Sequence, residues 1–134
     1  MKAIKISPGG IVAAIDRPDD GTSLGRLHVM QEEVRGDIEF IPMDKVLGDG
    51  YQMVVDEAYL FKKPHIVNAV ASVLYRHQIG NPIYGPASLG VIYGHALIVK
   101  DCETEDGTDT VGLDDEEIDR LMGVIDSWLQ RKAA

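Results

Sequence analysis

Between residues 101 and 119 the sequence carries ten acidic side chains and no lysine or arginine. They are Asp101, Glu103, Glu105, Asp106, Asp109, Asp114, Asp115, Glu116, Glu117 and Asp119. Carboxylates at this density can ligate a cation, attract a basic partner, or stabilise a helix N-terminus. The cation reading is tested by spacing. Asp101, Glu103 and Glu105 alternate like the start of an EF-hand loop, whose turn glycine belongs at position six and whose bidentate glutamate belongs at twelve. Those positions hold Asp106 and Gly112, so the calcium pattern fails at both, and no metal site is expected. For a basic partner, charge localisation matters. Residues 1–100 hold 11 acids and 10 bases, whereas residues 101–134 hold 11 acids and three bases. The surplus is therefore a local hook, with Asp101, Glu103, Glu105, Asp106, Asp109, Asp115 and Glu116 as the expected contacts. The plainer expectation is that Asp114 to Glu117 serve a helix N-terminus and that residues 103–109 form a solvated loop.

Nucleophiles and general bases are thinly spread. His28, His65, His77 and His95 form no His-Glu-x-x-His pattern. His28 is placed for an i,i+4 surface pair with Glu32, and His77 for a helix C-terminus. His95 is the most informative of the four, since it sits in a strong strand after Gly94 and could meet Asp56 or Glu57 across a sheet. Ser88 lies in Pro-Ala-Ser-Leu-Gly, which is not a nucleophile elbow. Cys102 stands between two acids, which raises its thiol pKa and disfavours the thiolate. No Gly-x-x-x-x-Gly-Lys-Ser/Thr loop exists. A catalytic role is disfavoured and no cofactor is expected. Tyr84, in a Pro/Gly-rich stretch, is a candidate partner contact because tyrosine is favoured at interfaces. The alternative to a partner-binding protein is a small-molecule or nucleotide-sensing domain, with Asp56, Glu57, Asn68 and His95 lining a pocket.

The elements that must position these groups follow from pattern. Apolar residues on both sides of Ser7-Pro8-Gly9-Gly10 predict a hairpin, with Pro8 and then a positive-φ Gly9 at the turn. Leu24, Leu27, Met30 and Val34 predict a helix capped by Thr22 or Ser23 and closed at Gly36. Asp37 to Ile41 alternates as a strand that Pro42 stops, and Tyr51 to Val55 is its hairpin partner across Gly48-Asp49-Gly50. Ile66, Val67, Val70, Val73 and Leu74 predict a helix beginning near Pro64 and reaching His77. Residues 80–89 read as turns and irregular backbone, and Val91 to Val99 as the most buried strand. At the end, Asp114 and Glu117 are spaced for a capping box, and Leu113 and Ile118 for a hydrophobic staple. Ile118, Leu121, Met122, Ile125, Trp128 and Leu129 form the stripe of a last helix. The order is approximately ββαββαβα, which predicts a single α+β domain over 1–134 with a largely antiparallel sheet and about three helices.

Size and composition close off several classes. A chain of 134 residues that is 45% hydrophobic suits one domain with one ordinary core. A net charge of −9 opposes direct binding of nucleic acid, which relies on basic side chains replacing counterions. No apolar stretch approaches the ~20 residues that span a bilayer, and the first residues lack a signal core. Cys102 is the only cysteine, so no internal disulfide forms and a cytoplasmic setting is expected. A homodimer through a sheet edge or the last helix is compatible with so small a domain.

The order of these landmarks resembles a family known only as domain of unknown function 3846, found in bacteria and their phages. The resemblance rests on Met1-Lys2-Ala3-Ile4-Lys5-Ile6-Ser7-Pro8-Gly9-Gly10, on the helix–Gly–Asp-Ile-Glu unit of residues 27–43, and on Val54-Val55-Asp56-Glu57. It continues through Asn68-Ala69, Tyr93-Gly94-His95-Ala96-Leu97-Ile98-Val99 and Gly112-Leu113-Asp114-Asp115-Glu116. It implies a small α+β domain often carried by mobile elements, and it brings no activity with it. The combined expectation is a non-catalytic accessory protein, related to phages or mobile elements, that grips a basic protein surface with its acidic segment.

Overall fold

A computed structural model describes residues 1–58, 66–80 and 91–131. The elements run β1 (Lys2–Ile6), β2 (Val12–Asp16), α1 (Ser23–Val34), β3 (Ile38–Pro42), α2 (Asp44–Leu47), β4 (Tyr51–Asp56), α3 (Ala69–Ile79), β5 (Ala96–Thr104), β6 (Gly107–Val111) and α4 (Asp115–Gln130). The α+β class and the antiparallel sheet are as expected, with one strand and one short helix more than the pattern predicted. The sheet has the order β2-β1-β5-β4-β3, with β6 added to β5, and all its pairings are antiparallel. The long β5 explains the branching. Its first half pairs with β1 (Ile4↔Ile98) and its second half with β6 (Lys100↔Val111), while β4 lies along the other side (Met53↔Ile98).

Period-two alternation makes two cores from one sheet. Ile4, Ile6, Met53, Val55, Ala96 and Ile98 face α2, α3 and α4, meeting Leu74, Leu121 and Ile125. Ala3, Val54, Leu97 and Val99 face the other way, against Met30 and Val34 of α1. Strand β5 thus buries both faces, which is why Ala96-Leu97-Ile98-Val99 reads as a continuous apolar run; all four are 0% exposed. Helix α4 buries Ile118, Leu121 and Ile125 of its predicted stripe, and the far end, Leu129, remains exposed.

Several local expectations are corrected. In the first turn, Gly10 donates to Ser7 O at 3.0 Å, and the positive φ (85°) falls on Gly10, not Gly9. That is a type I turn followed by a left-handed residue, which matches strand twist better than a type II turn. Helix α1 does use Thr22 as its N-cap, but its left-handed closing residue is Arg35 (φ 66°), one position before Gly36. Pro42 does not stop β3; it is its last residue. The bonds Met43 N to Tyr51 O and Glu57 N to Asp37 O put odd-numbered residues of this segment toward β4. Residues 38, 40 and 42 therefore point their backbone groups outward on an edge strand, where a missing N–H breaks no ladder bond. Helix α3 begins at Ala69 with Asn68 as cap, so Ile66 and Val67 lie before it and are exposed. Strand β5 begins at Ala96; Tyr93 instead bridges Val67. Residues 103–109 are not a loop but most of the β5–β6 hairpin, closed by the turn Glu105-Asp106.

Candidate functional site

The hairpin divides the acidic segment into carboxylates used by the fold and carboxylates left outside it. Asp109 accepts from Arg26 Nη2 at 2.6 Å and from Ser23 Oγ at 2.7 Å, and Arg26 Nε also donates to Thr110 O. The Ser23 hydroxyl first, and Arg26 with it, hold the Asp109 carboxyl below its usual range against partial burial. Asp101 accepts from the Gln52 amide, and Asp115 forms a surface ion pair with Lys2 at 2.9 Å. Asp114 accepts from Glu117 N at 2.7 Å, and Glu117 closes the expected capping box. The other five, Glu103, Glu105, Asp106, Glu116 and Asp119, are exposed, and their carboxylates make no hydrogen bond or ion pair among the described residues. They fall in two groups. Glu103, Glu105 and Asp106 surround the hairpin tip; Glu116 and Asp119 lie on the outer side of the first turns of α4. Lys100↔Val111 marks the hairpin base beside α4, and the tip stands four residues further, about 13 Å at strand rise.

At that base lies a polar cluster of four side chains. Glu117 accepts from Tyr51 Oη at 2.6 Å and from Lys100 Nζ at 3.0 and 3.1 Å, and Arg120 Nη2 donates to Tyr51 Oη at 2.6 Å. Burial acts to raise the Glu117 pKa, but bonds from Tyr51, the Asp114 backbone and Lys100 outweigh it and hold it at about 2. Burial, and then the Glu117 charge, push the Tyr51 phenol up. A carboxylate this acidic and a phenol this reluctant to ionise exchange no protons near neutrality. The cluster clamps α4 to β4 and β5.

The four residues of the alternative pocket occupy different situations. Asn68 is fully buried and fully used: its Oδ1 caps α3 through Ala71 N, and its Nδ2 donates to Ile6 O and Gly94 O, both at 2.8 Å. Asp56 is 7% exposed and accepts from Ala58 N at 2.9 Å, while Glu57 is exposed. His95 stands just before β5. The β4–β5 register ends at Val54↔Leu97, short of the expected meeting of His95 with Asp56 or Glu57. The His95 Nδ1 is buried and has no partner among the described residues. Burial first, then the charges of Lys5 and Arg35, lower its pKa, which keeps the ring neutral at neutral pH. Lys5 is itself bound to Glu33 at 2.6 Å. His28 and Glu32 line an open depression of about 480 Å³ with Gln31, Gly36, Asp37 and Ala58. His77 packs its ring against Trp128 at 4.6 Å. Tyr84 and His65 lie outside the described residues. Among the described residues no group of three His, Cys, Asp or Glu is placed to hold a metal ion, and no helix is long and apolar enough to cross a membrane.

Pattern reasoning missed the Arg26–Asp109 lock and the Tyr51–Glu117–Lys100 clamp. Each joins residues 17 to 83 positions apart. The one available signal was Thr108-Asp109-Thr110-Val111, whose β-branched residues beside a Gly turn mark a strand.

The geometry defines a small α+β domain: an antiparallel six-stranded sheet with helices on both faces and a negatively charged hairpin projecting from one side. The chain belongs to the family described as Domain of unknown function (DUF3846), whose model matches residues 1–126. No curated protein and no solved structure matches it.

Proposed function

We propose that the protein is a non-catalytic binding module that engages a basic surface of another macromolecule through the β5–β6 hairpin tip and the first turns of α4. One observation carries this reading: among the described residues, Glu103, Glu105, Asp106, Glu116 and Asp119 stand exposed without a compensating base, while their five acidic neighbours are tied into the fold. Holding like charges together without counter-charges opposes the folded state, and a cationic partner relieves that repulsion. The tip contacts are Glu103, Glu105 and Asp106; Glu116 adds to them from α4, Asp101 and Asp109 set the hairpin's position, and Asp115 pairs with Lys2. The same charge repels nucleic acid, so the partner is a protein. A cytoplasmic, phage- or mobile-element-related setting belongs to this proposal and rests on the family.

The test is a pull-down from bacterial lysate with the wild type and a Glu103→Gln/Glu105→Gln/Asp106→Asn variant. Proteins retained by the wild type at about 50 mM salt should be lost near 300 mM, as screening shortens the reach of exposed charges, and lost in the variant at either salt. Recovery of the same proteins by both would refute the hook.

A second reading, a small-molecule or nucleotide-sensing domain, draws on the buried Nδ1 of His95, which has no partner among the described residues and feels the charge of Lys5. A thermal-shift screen against nucleotides and divalent metals separates the two, because a ligand selective for the native state raises the melting temperature by mass action.

A further inference from the structure

We propose that the free edge of β3, together with the groove between it and α3, accepts an extended basic segment of a partner protein as an added strand. This surface is separated from the β5–β6 hairpin by β4, so the inference is independent of the acidic hook.

The argument starts from backbone parity. Within β3, Glu39 and Ile41 exchange bonds with Val55 and Met53 of β4, and Ile38, Phe40 and Pro42 direct theirs away from the sheet. The outward row offers two N–H donors, at Ile38 and Phe40, and three carbonyl acceptors. No hydrogen bond among the described residues reaches them. Beside this row runs a groove of about 370 Å³, with Glu39, Ile41 and Pro42 on one wall and Tyr75, Gln78 and Ile79 of α3 on the other. Phe40 is 39% exposed and Ile79 43% exposed, so the groove has apolar margins. A strand edge next to a helix-walled groove is the arrangement by which peptides bind through strand addition: main-chain bonds supply affinity, and the groove reads alternate side chains.

The occupant follows from size and charge. A second copy of this chain would bring a five-residue strand carrying the same exposed Asp37 and Glu39, setting like charges along the shared edge. Asp37 and Glu39 are exposed along this edge. A partner segment of about five residues, with apolar side chains alternating with Lys or Arg, satisfies the backbone row, the groove and the charge together.

The experiment uses a display library of random ten-residue peptides, selected on the wild-type protein and counter-selected on Phe40→Pro. That substitution removes one of the two outward donors and leaves the bonds to β4, which come from Glu39 and Ile41. Pro42 already occupies an outward position of the same strand. Selected peptides should alternate apolar with Lys or Arg and bind Phe40→Pro at least tenfold more weakly. They should also slow hydrogen exchange at the Ile38 and Phe40 amides of the wild type, a readout that does not depend on the variant folding. No enrichment, an acidic consensus, or exchange at these two amides unchanged by bound peptide would overturn the proposal. So would a dimer in sedimentation that Phe40→Pro dissolves, which would assign the edge to a second copy.

Discussion

Glu117 shows how much one side chain settles here. It completes the cap of α4, receives Tyr51 and Lys100, and sits at about pKa 2. Its folded value is depressed below the ordinary 4.5, so its contribution is present above pH 4.5 and is lost as the pH falls toward 2. Glu117→Gln should therefore cost about 2 kcal/mol at pH 7, in line with hydrogen bonds to a charged group. In urea melts, the gap between variant and wild type should narrow steadily below pH 4.5; a constant gap down to pH 2.5 would contradict the clamp. At this scale, legibility depends on sequence distance. The Asp114–Glu117 box could be read because both partners lie within one turn. The neighbours of Glu117 on the sheet could not, because they depend on strand register. Asn68 gives the same lesson from the other side: its type was noticed, but its use as a cap and a double donor to two distant carbonyls exists only after β1 and residue 94 have met.

Among the elements, the β5–β6 hairpin departs most from expectation. Its five acids suppressed the strand signal, since Asp and Glu are depleted in sheets. The fold supplies what propensity lacks, through Arg26 and Ser23 on Asp109 and through the β5 ladder. Where the hairpin returns to α4, Gly112 passes so close to β1 that a Cβ there would lie 2.7 Å from Lys2 O and 2.9 Å from Lys2 N. Leu113 N also donates to Lys2 O at 2.8 Å. Gly112→Ala should accordingly destabilise by about 1–3 kcal/mol, the usual range for forcing atoms into packed space. Gly123→Ala, at a site with nothing within 4 Å, should be neutral or slightly stabilising. Comparable melting temperatures for the two would remove the close approach. Helices α1 and α4 were legible because each writes its own stripe and cap. The four-residue α2 was not, since it holds less than two turns and is fixed by Gln78 of α3, whose Oε1 accepts from Lys45 N and Val46 N.

For the molecule as a whole, the class was legible from the alternation of strand-like and helix-like patterns, whereas the order β2-β1-β5-β4-β3 was not. Strand order depends on which edges meet over long separations, and local pattern is silent there. The middle position of β5, with both faces covered, sets the hierarchy of local stability. Amides of Leu97, Ile98 and Val99 should exchange only through global unfolding, and those of Glu103 and Glu105 much faster. Equal protection along β5 would show that the hairpin tip is more firmly held than its exposure suggests. The same topology bears on biosynthesis. While a ribosome extends the chain at roughly 5–20 residues per second, the β1–β2 and β3–β4 pairs emerge early with their inner edges bare, and the strand that joins them is made only after residue 95. For several seconds the nascent polypeptide carries two unfinished half-sheets, and in that interval a chaperone, or a neighbouring chain on the same messenger, can reach surfaces that the finished molecule never displays.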